Sequence, residues 1–162
     1  MRLYIACLVL LLSLATITRA GDSEADRRTL RGLKGMEVFI VSMPPEAEQN
    51  GLTKSAIQTD VEFKLRQAAI TILDPKPGQP WLSVEVEMGI RTESPWTYSI
   101  SVELHQSVTL TRDPSISFPD AATWSAGAFG SVGRAKVGSL RDDIKDMIDK
   151  FINAYLAANP KK

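Results

Sequence analysis

The sequence predicts an α+β fold: a two-layer sandwich of a mostly antiparallel sheet with two helices on one face. Three observations carry that expectation. Two long runs between residues 82 and 111 alternate apolar and polar side chains, one apolar stripe at helical spacing occupies 54–69, and a second occupies 140–156. Strict alternation describes strands with one wet and one buried face. A single stripe describes a helix covered on one side. Two layers bury all of these faces at once.

In chain order, Met36–Met43 comes first, with Val38-Phe39-Ile40-Val41 unbroken. A continuous apolar run this short reads as a strand buried on both faces, stopped by Pro44-Pro45. Glu46–Leu52 is a polar loop with the turn pair Asn50-Gly51. Thr53 is placed to cap a helix, and Ile57, Val61, Leu65 and Ala68 form its stripe. Asp60/Lys64 and Glu62/Arg66 are acid-to-base pairs at i, i+4. Ile70–Leu73 reads as a short strand, and the sequence D-P-K-P-G-Q-P at 74–80 as a rigid turn.

Leu82, Val84, Val86, Met88 and Ile90 then alternate with Ser83, Glu85, Glu87, Gly89 and Arg91. Tyr98, Ile100, Val102, Leu104, Val108 and Leu110 alternate with Ser99, Ser101, Glu103, His105, Thr109 and Thr111. The link 92–97 is short enough for a hairpin. Asp113–Asp120 reads as a proline-containing loop, and Ala121–Gly130 as a strand of small residues. Ser139, with Asp142 three residues on, has the spacing of an acidic capping box. Leu140, Ile144, Met147, Ile148, Phe151, Ile152, Tyr155 and Leu156 form the stripe of the helix that follows, which ends near Asn159-Pro160. The expected order is β-α-β-β-β-β-α.

Residues 1–20 read as a cleavable signal peptide: a charged start at Arg2, an uncharged apolar run from Tyr4 to Leu14, and small residues at Thr18 and Ala20. Ser13, Thr16, Thr18 and Arg19 interrupt the run short of the about 20 apolar residues a spanning helix needs. Tyr4-Ile5-Ala6-Cys7 is similar to a lipobox but precedes most of the apolar run, so lipidation is not expected there. The expected organisation is a signal peptide at 1–20, a solvated, flexible leader at 21–34, and one domain at 35–160. The expected location is the periplasm or the outside of the cell.

Cleavage removes Cys7, the single cysteine, so the exported form has no disulfide and no thiolate metal site. It also removes Arg2 and Arg19, leaving 17 basic and 19 acidic residues and a net charge of −2. That balance gives no electrostatic case for nucleic acid or for a polybasic membrane contact.

Catalytic chemistry finds little footing. His105 is the single histidine and falls on the wet side of a strand, and no G-x-S-x-G elbow is present. Asp142, Asp143, Asp146 and Asp149 cluster, but as a solvated helix face beside Lys145 and Lys150. Glu85, Glu87 and Glu103 share the wet face of the sheet, without the aromatic platform of a glycoside hydrolase. G-A-F-G-S-V-G at 127–133 lacks the lysine of a phosphate loop. Neither a cofactor nor a metal is expected. Among the three tryptophans, Trp96 and Trp124 are the candidate partner contacts, with core packing as the alternative for each.

The segments L-R-G-L-K-G-M-E-V-F-I-V at 30–41, L-T-K-S-A-I-Q-T-D-V-E-F-K-L-R-Q-A-A-I at 52–70, Y-S-I-S-V-E-L at 98–104 and S-L-R-D-D-I-K-D-M-I-D-K-F-I-N-A-Y-L-A-A-N-P at 139–160 resemble a group of uncharacterised exported bacterial proteins. Ala69 stands where such sequences carry Gly. In element order the chain is also similar to the amino-terminal domain of TolB and related envelope accessory domains, including those of the curli-secretion lipoprotein. The resemblance implies a non-enzymatic accessory or protein-interaction domain of the cell envelope, with another envelope protein as partner. Two alternatives stay open: a periplasmic carrier of a small ligand or lipid, and a small secreted hydrolase. A deep cavity lined by Val102, Leu104 and the 144–156 stripe would favour the carrier. A cleft gathering His105 with two carboxylates would favour the enzyme.

Overall fold

The structure is a computed structural model describing residues 22–90 and 92–160. The expected signal peptide lies outside the described residues.

Among the described residues nine elements follow one another: α1 (Glu24–Thr29), β1 (Glu37–Ile40), α2 (Pro45–Gln49), α3 (Lys54–Gln67), β2 (Trp81–Gly89), β3 (Trp96–Leu110), β4 (Asp113–Val132), a 3-10 turn (Arg134–Ser139) and α4 (Leu140–Ala158). The strands form one sheet in the order β1-β2-β3-β4. β1 runs parallel to β2, and the other two pairings are antiparallel. The fold is α+β, with the mostly antiparallel sheet that the alternation predicts.

One face of the sheet is buried under α3 and α4. Val38 and Ile40 of β1, Leu82, Val84 and Val86 of β2, Ile100, Val102 and Leu104 of β3, and Trp124 of β4 point into that layer. From the helices come Ile57, Val61 and Leu65, and Leu140, Ile144, Met147, Ile148, Phe151 and Ala154. Two ion pairs clamp α3 to α4. Arg141 binds the Asp60 carboxylate through two nitrogens, Nη2 at 2.7 Å, and Lys64 Nζ reaches Asp149 at 2.6 and 2.7 Å. The expected pair Glu62/Arg66 forms at 2.6 Å, whereas Asp60 and Lys64 turn to α4 instead of to each other.

Several expectations are corrected. The leader is folded: Ser23 and Asp26 close a capping box on α1, and Leu30 is fully buried in the core. Asn159 then clamps the segment, accepting from Gly32 N at 2.7 Å and donating to Leu30 O at 2.9 Å, while Tyr155 OH donates to Leu33 O at 2.8 Å. The capping box expected at Ser139 does not form. Ser139 continues from the 3-10 turn in helical conformation, and its hydroxyl donates back to Lys136 O.

Ile70–Leu73 contributes one parallel bridge, Met36 to Ile72, instead of a strand. Gly35 lets the two segments approach, since a Cβ there would lie 2.6 Å from Thr71 O. Asp113–Asp120 belongs to β4 rather than to a loop. As an edge strand β4 tolerates Pro114 and Pro119, because its outer side needs no ladder donors. The pairing with β3 slips at Leu104/His105, Gln106/Val108 and Thr109/Leu110. β1 is buried on one face only, leaving Phe39 44% exposed.

Candidate functional site

The outer face of the sheet carries the polar half of the alternation. Along β2 the outward positions are Trp81, Ser83, Glu85 and Glu87, and along β3 they are Ser99, Ser101, Glu103 and His105. Register sets Phe39 of β1 opposite Ser83 and sets Trp81 opposite His105. The slip after Leu104 then brings Asp120 of β4 to the same end of the face.

These placements build one cluster. The Trp81 and His105 rings stack with centroids 4.0 Å apart and planes 11° apart. Phe39 meets Trp81 edge-on at 5.9 Å. Trp81 Nε1 donates to Asp120 Oδ1 at 3.1 Å, and the same oxygen lies 3.1 Å from His105 Nδ1. That second approach is not a hydrogen bond, and the buried Nδ1 has no hydrogen-bond partner. His105 Nε2 lies 3.3 Å from Ser83 Oγ and 3.4 Å from Glu103 Oε2.

The structure thus gathers His105 with two carboxylates and a serine, the constellation that sequence reasoning reserved for an enzyme. Its geometry is that of a packed cluster. Ser83 is 4% exposed, and its hydroxyl donates to Glu103 O at 3.2 Å. While that hydroxyl donates to Glu103 O, its one proton is not available to His105 Nε2, 3.3 Å away. A general base needs the reverse arrangement. Trp81 covers the imidazole from above.

Beside the cluster lies an open groove of about 520 Å³. Its walls are Phe39, Trp81, the 75–79 turn and Pro119, and its polar groups include Glu37, Gln79 and Asp120. Gln79 Oε1 is buried there without a hydrogen-bond partner. Lys76 stands on the turn, and Lys54 Nζ lies 5.3 Å over the Phe39 ring.

Trp96 and Trp124, the candidate partner contacts, are core residues at 5% and 1% exposure. Trp96 faces inward opposite Val132, with Arg134 over its ring at 5.6 Å. Trp124 packs edge-on against Phe151 at 5.1 Å, and its Nε1 donates to Asp22. The tryptophan on the outer face is Trp81. Parity was the available signal: 96 shares the inward register of 98 and 100, and 81 the outward register of 83 and 85. Among the described residues no group of three or more His, Cys, Asp or Glu side chains is arranged to hold a metal ion, and no helix is long and apolar enough to cross a membrane.

No family model matches the chain, and no curated protein matches it. Solved structures do. A PelC dodecamer from Paraburkholderia phytofirmans is 17% identical with a TM-score of 0.35, over 77% of this chain and 87% of that one. The rare lipoprotein B from Shewanella oneidensis is 13% identical with a TM-score of 0.31, over 76% and 92%. A minor lipoprotein from Acinetobacter baumannii is 10% identical with a TM-score of 0.30, over 78% and 93%. None of these is a TolB domain. At such identities and scores, none of the three carries an argument about function.

Proposed function

We propose that this chain is an exported, non-enzymatic accessory domain of the cell envelope that works by protein contact, through the outer face of its sheet. The observation that carries the reading is the Phe39–Trp81 groove. Aromatic side chains held rigid at an open surface are the usual anchors of an interface. Trp81 is held on three sides, by His105, Phe39 and Asp120. The secretory pattern of residues 1–20 supplies the address, and another envelope protein is the expected partner.

The carrier reading loses ground because the space it needs is filled. Val102 and Leu104 are fully buried, and the inward residues of α4 from Leu140 to Ala154 are at most 3% exposed within one apolar cluster. The hydrolase is the second reading, favoured by the proximity of Ser83, His105 and Asp120. Hydrolysis of p-nitrophenyl acetate separates the two. Under the binding reading, the purified protein gives a rate that Ser83→Ala leaves unchanged. A rate lost in Ser83→Ala and in His105→Gln would establish the hydrolase.

A further inference from the structure

We infer that the Phe39–Trp81 groove receives an arginine side chain of its polypeptide partner. This rests on the reading of the groove as a contact surface and goes on to name the chemistry that it recognises.

The groove carries three uncommitted acceptors beside one cation, Lys76. The Glu37 carboxylate has no hydrogen-bond or ion-pair partner among the described residues, although the residue is half-buried on β1. Asp120 receives the Trp81 indole N–H on Oδ1, while no hydrogen bond reaches its Oδ2. Gln79 Oε1 is buried and unpartnered. A buried acceptor left without a donor is costly, so a ligand that supplies donors gains from relieving it. The remaining walls are aromatic or proline. Glu85, Glu87 and Glu103 extend the negative charge along the same face of the sheet.

Two carboxylates, a lone amide oxygen and a pair of aromatic rings call for a flat cation with several donors. Guanidinium has five N–H donors in one plane and stacks on aromatic faces. An ammonium offers a compact charge and no plane. Lys54, already over the Phe39 ring, shows that this aromatic corner accepts positive charge. Lys76, the cation at the groove itself, is exposed on the 75–79 turn with no ion-pair partner among the described residues.

The test is a titration of 15N-labelled protein with the pentapeptide acetyl-Ala-Ala-Arg-Ala-Ala-amide, read at the Trp81 indole N–H cross-peak and assigned with Trp81→Phe. Citrulline in place of arginine keeps the shape and removes the charge, and lysine keeps the charge and removes the plane. A saturable shift with the arginine peptide is expected, weakened about tenfold or more by citrulline and about threefold to tenfold by lysine, by Glu37→Gln or by Asp120→Asn. Asn at 120 retains an acceptor for the indole, so the pocket keeps its shape. Equal shifts with arginine and citrulline, or no saturable shift at all, would overturn the assignment. Cross-linking from position 39 in cells is independent of the ligand's chemistry. A partner captured there while the peptides fail would sink the guanidinium and leave the contact surface standing.

Discussion

Asp60 lies between two helices and faces two cations, Arg141 and Lys145. The hydrogen bond from Arg141 holds its carboxyl below the usual aspartate value. A pKa depressed by folding contributes stability above the unfolded value and loses it as the pH falls through the folded one. Asp60→Asn is therefore expected to cost about 1–2 kcal/mol at pH 7. Its gap from the parent protein closes as the pH drops below about 4. Urea unfolding at pH 7 and pH 3 measures both quantities. A second residue works against the fold. Ala69 holds φ at 59° to end α3, where Ile70 N closes the turn on Leu65 O at 2.9 Å. A side chain in that region is strained, and glycine is not. Ala69→Gly is expected to raise stability by about 0.5–1 kcal/mol, visible as a higher denaturation midpoint.

At the scale of elements, the same short pattern succeeded once and failed once. Ser-x-x-Asp precedes a helix at 23–26 and at 139–142, and of these two only the first closes a capping box. At 139 the chain arrives already wound as a 3-10 turn, so the serine has no extended conformation from which to cap. Spacing alone does not report the conformation of the preceding residues. The strands β2 and β3 and the stripes of α3 and α4 were legible because burial on one face imposes a period. The 113–120 arm was not, because Pro114 and Pro119 read as a loop and the alternation of Ser115, Ile116, Ser117 and Phe118 between them is short and exposed. The groove was illegible for a related reason. It joins Phe39, Trp81 and Asp120 from three strands, and the last arrives by a register slip that local sequence does not encode. Phe151, fully buried between Trp124 and Tyr155, anchors α4 on the sheet. Phe151→Ala is expected to cost about 3–5 kcal/mol, measured by urea unfolding.

For the whole molecule, the segment read as a leader is part of the domain. Leu30 belongs to the same apolar cluster as β2 and α4, and the Asn159 clamp ties the segment to the far end of the chain. Deleting residues 22–34 is expected to lower stability by about 3–5 kcal/mol, through one buried leucine and several lost hydrogen bonds. Asn159→Ala takes a smaller share, about 2 kcal/mol, and leaves Gly32 N exchanging faster with solvent hydrogen. The folded molecule then has a filled core on one side of its sheet and, on the other, an acidic face ending in an aromatic groove.

The outer face is proposed to meet a partner. A photo-crosslinking amino acid placed at 39, on the groove, and at 63, on exposed α3, reports it directly in living cells. A discrete adduct is expected from position 39 that Trp81→Ala abolishes, and none from position 63. Adducts from 63 with none from 39 would contradict it.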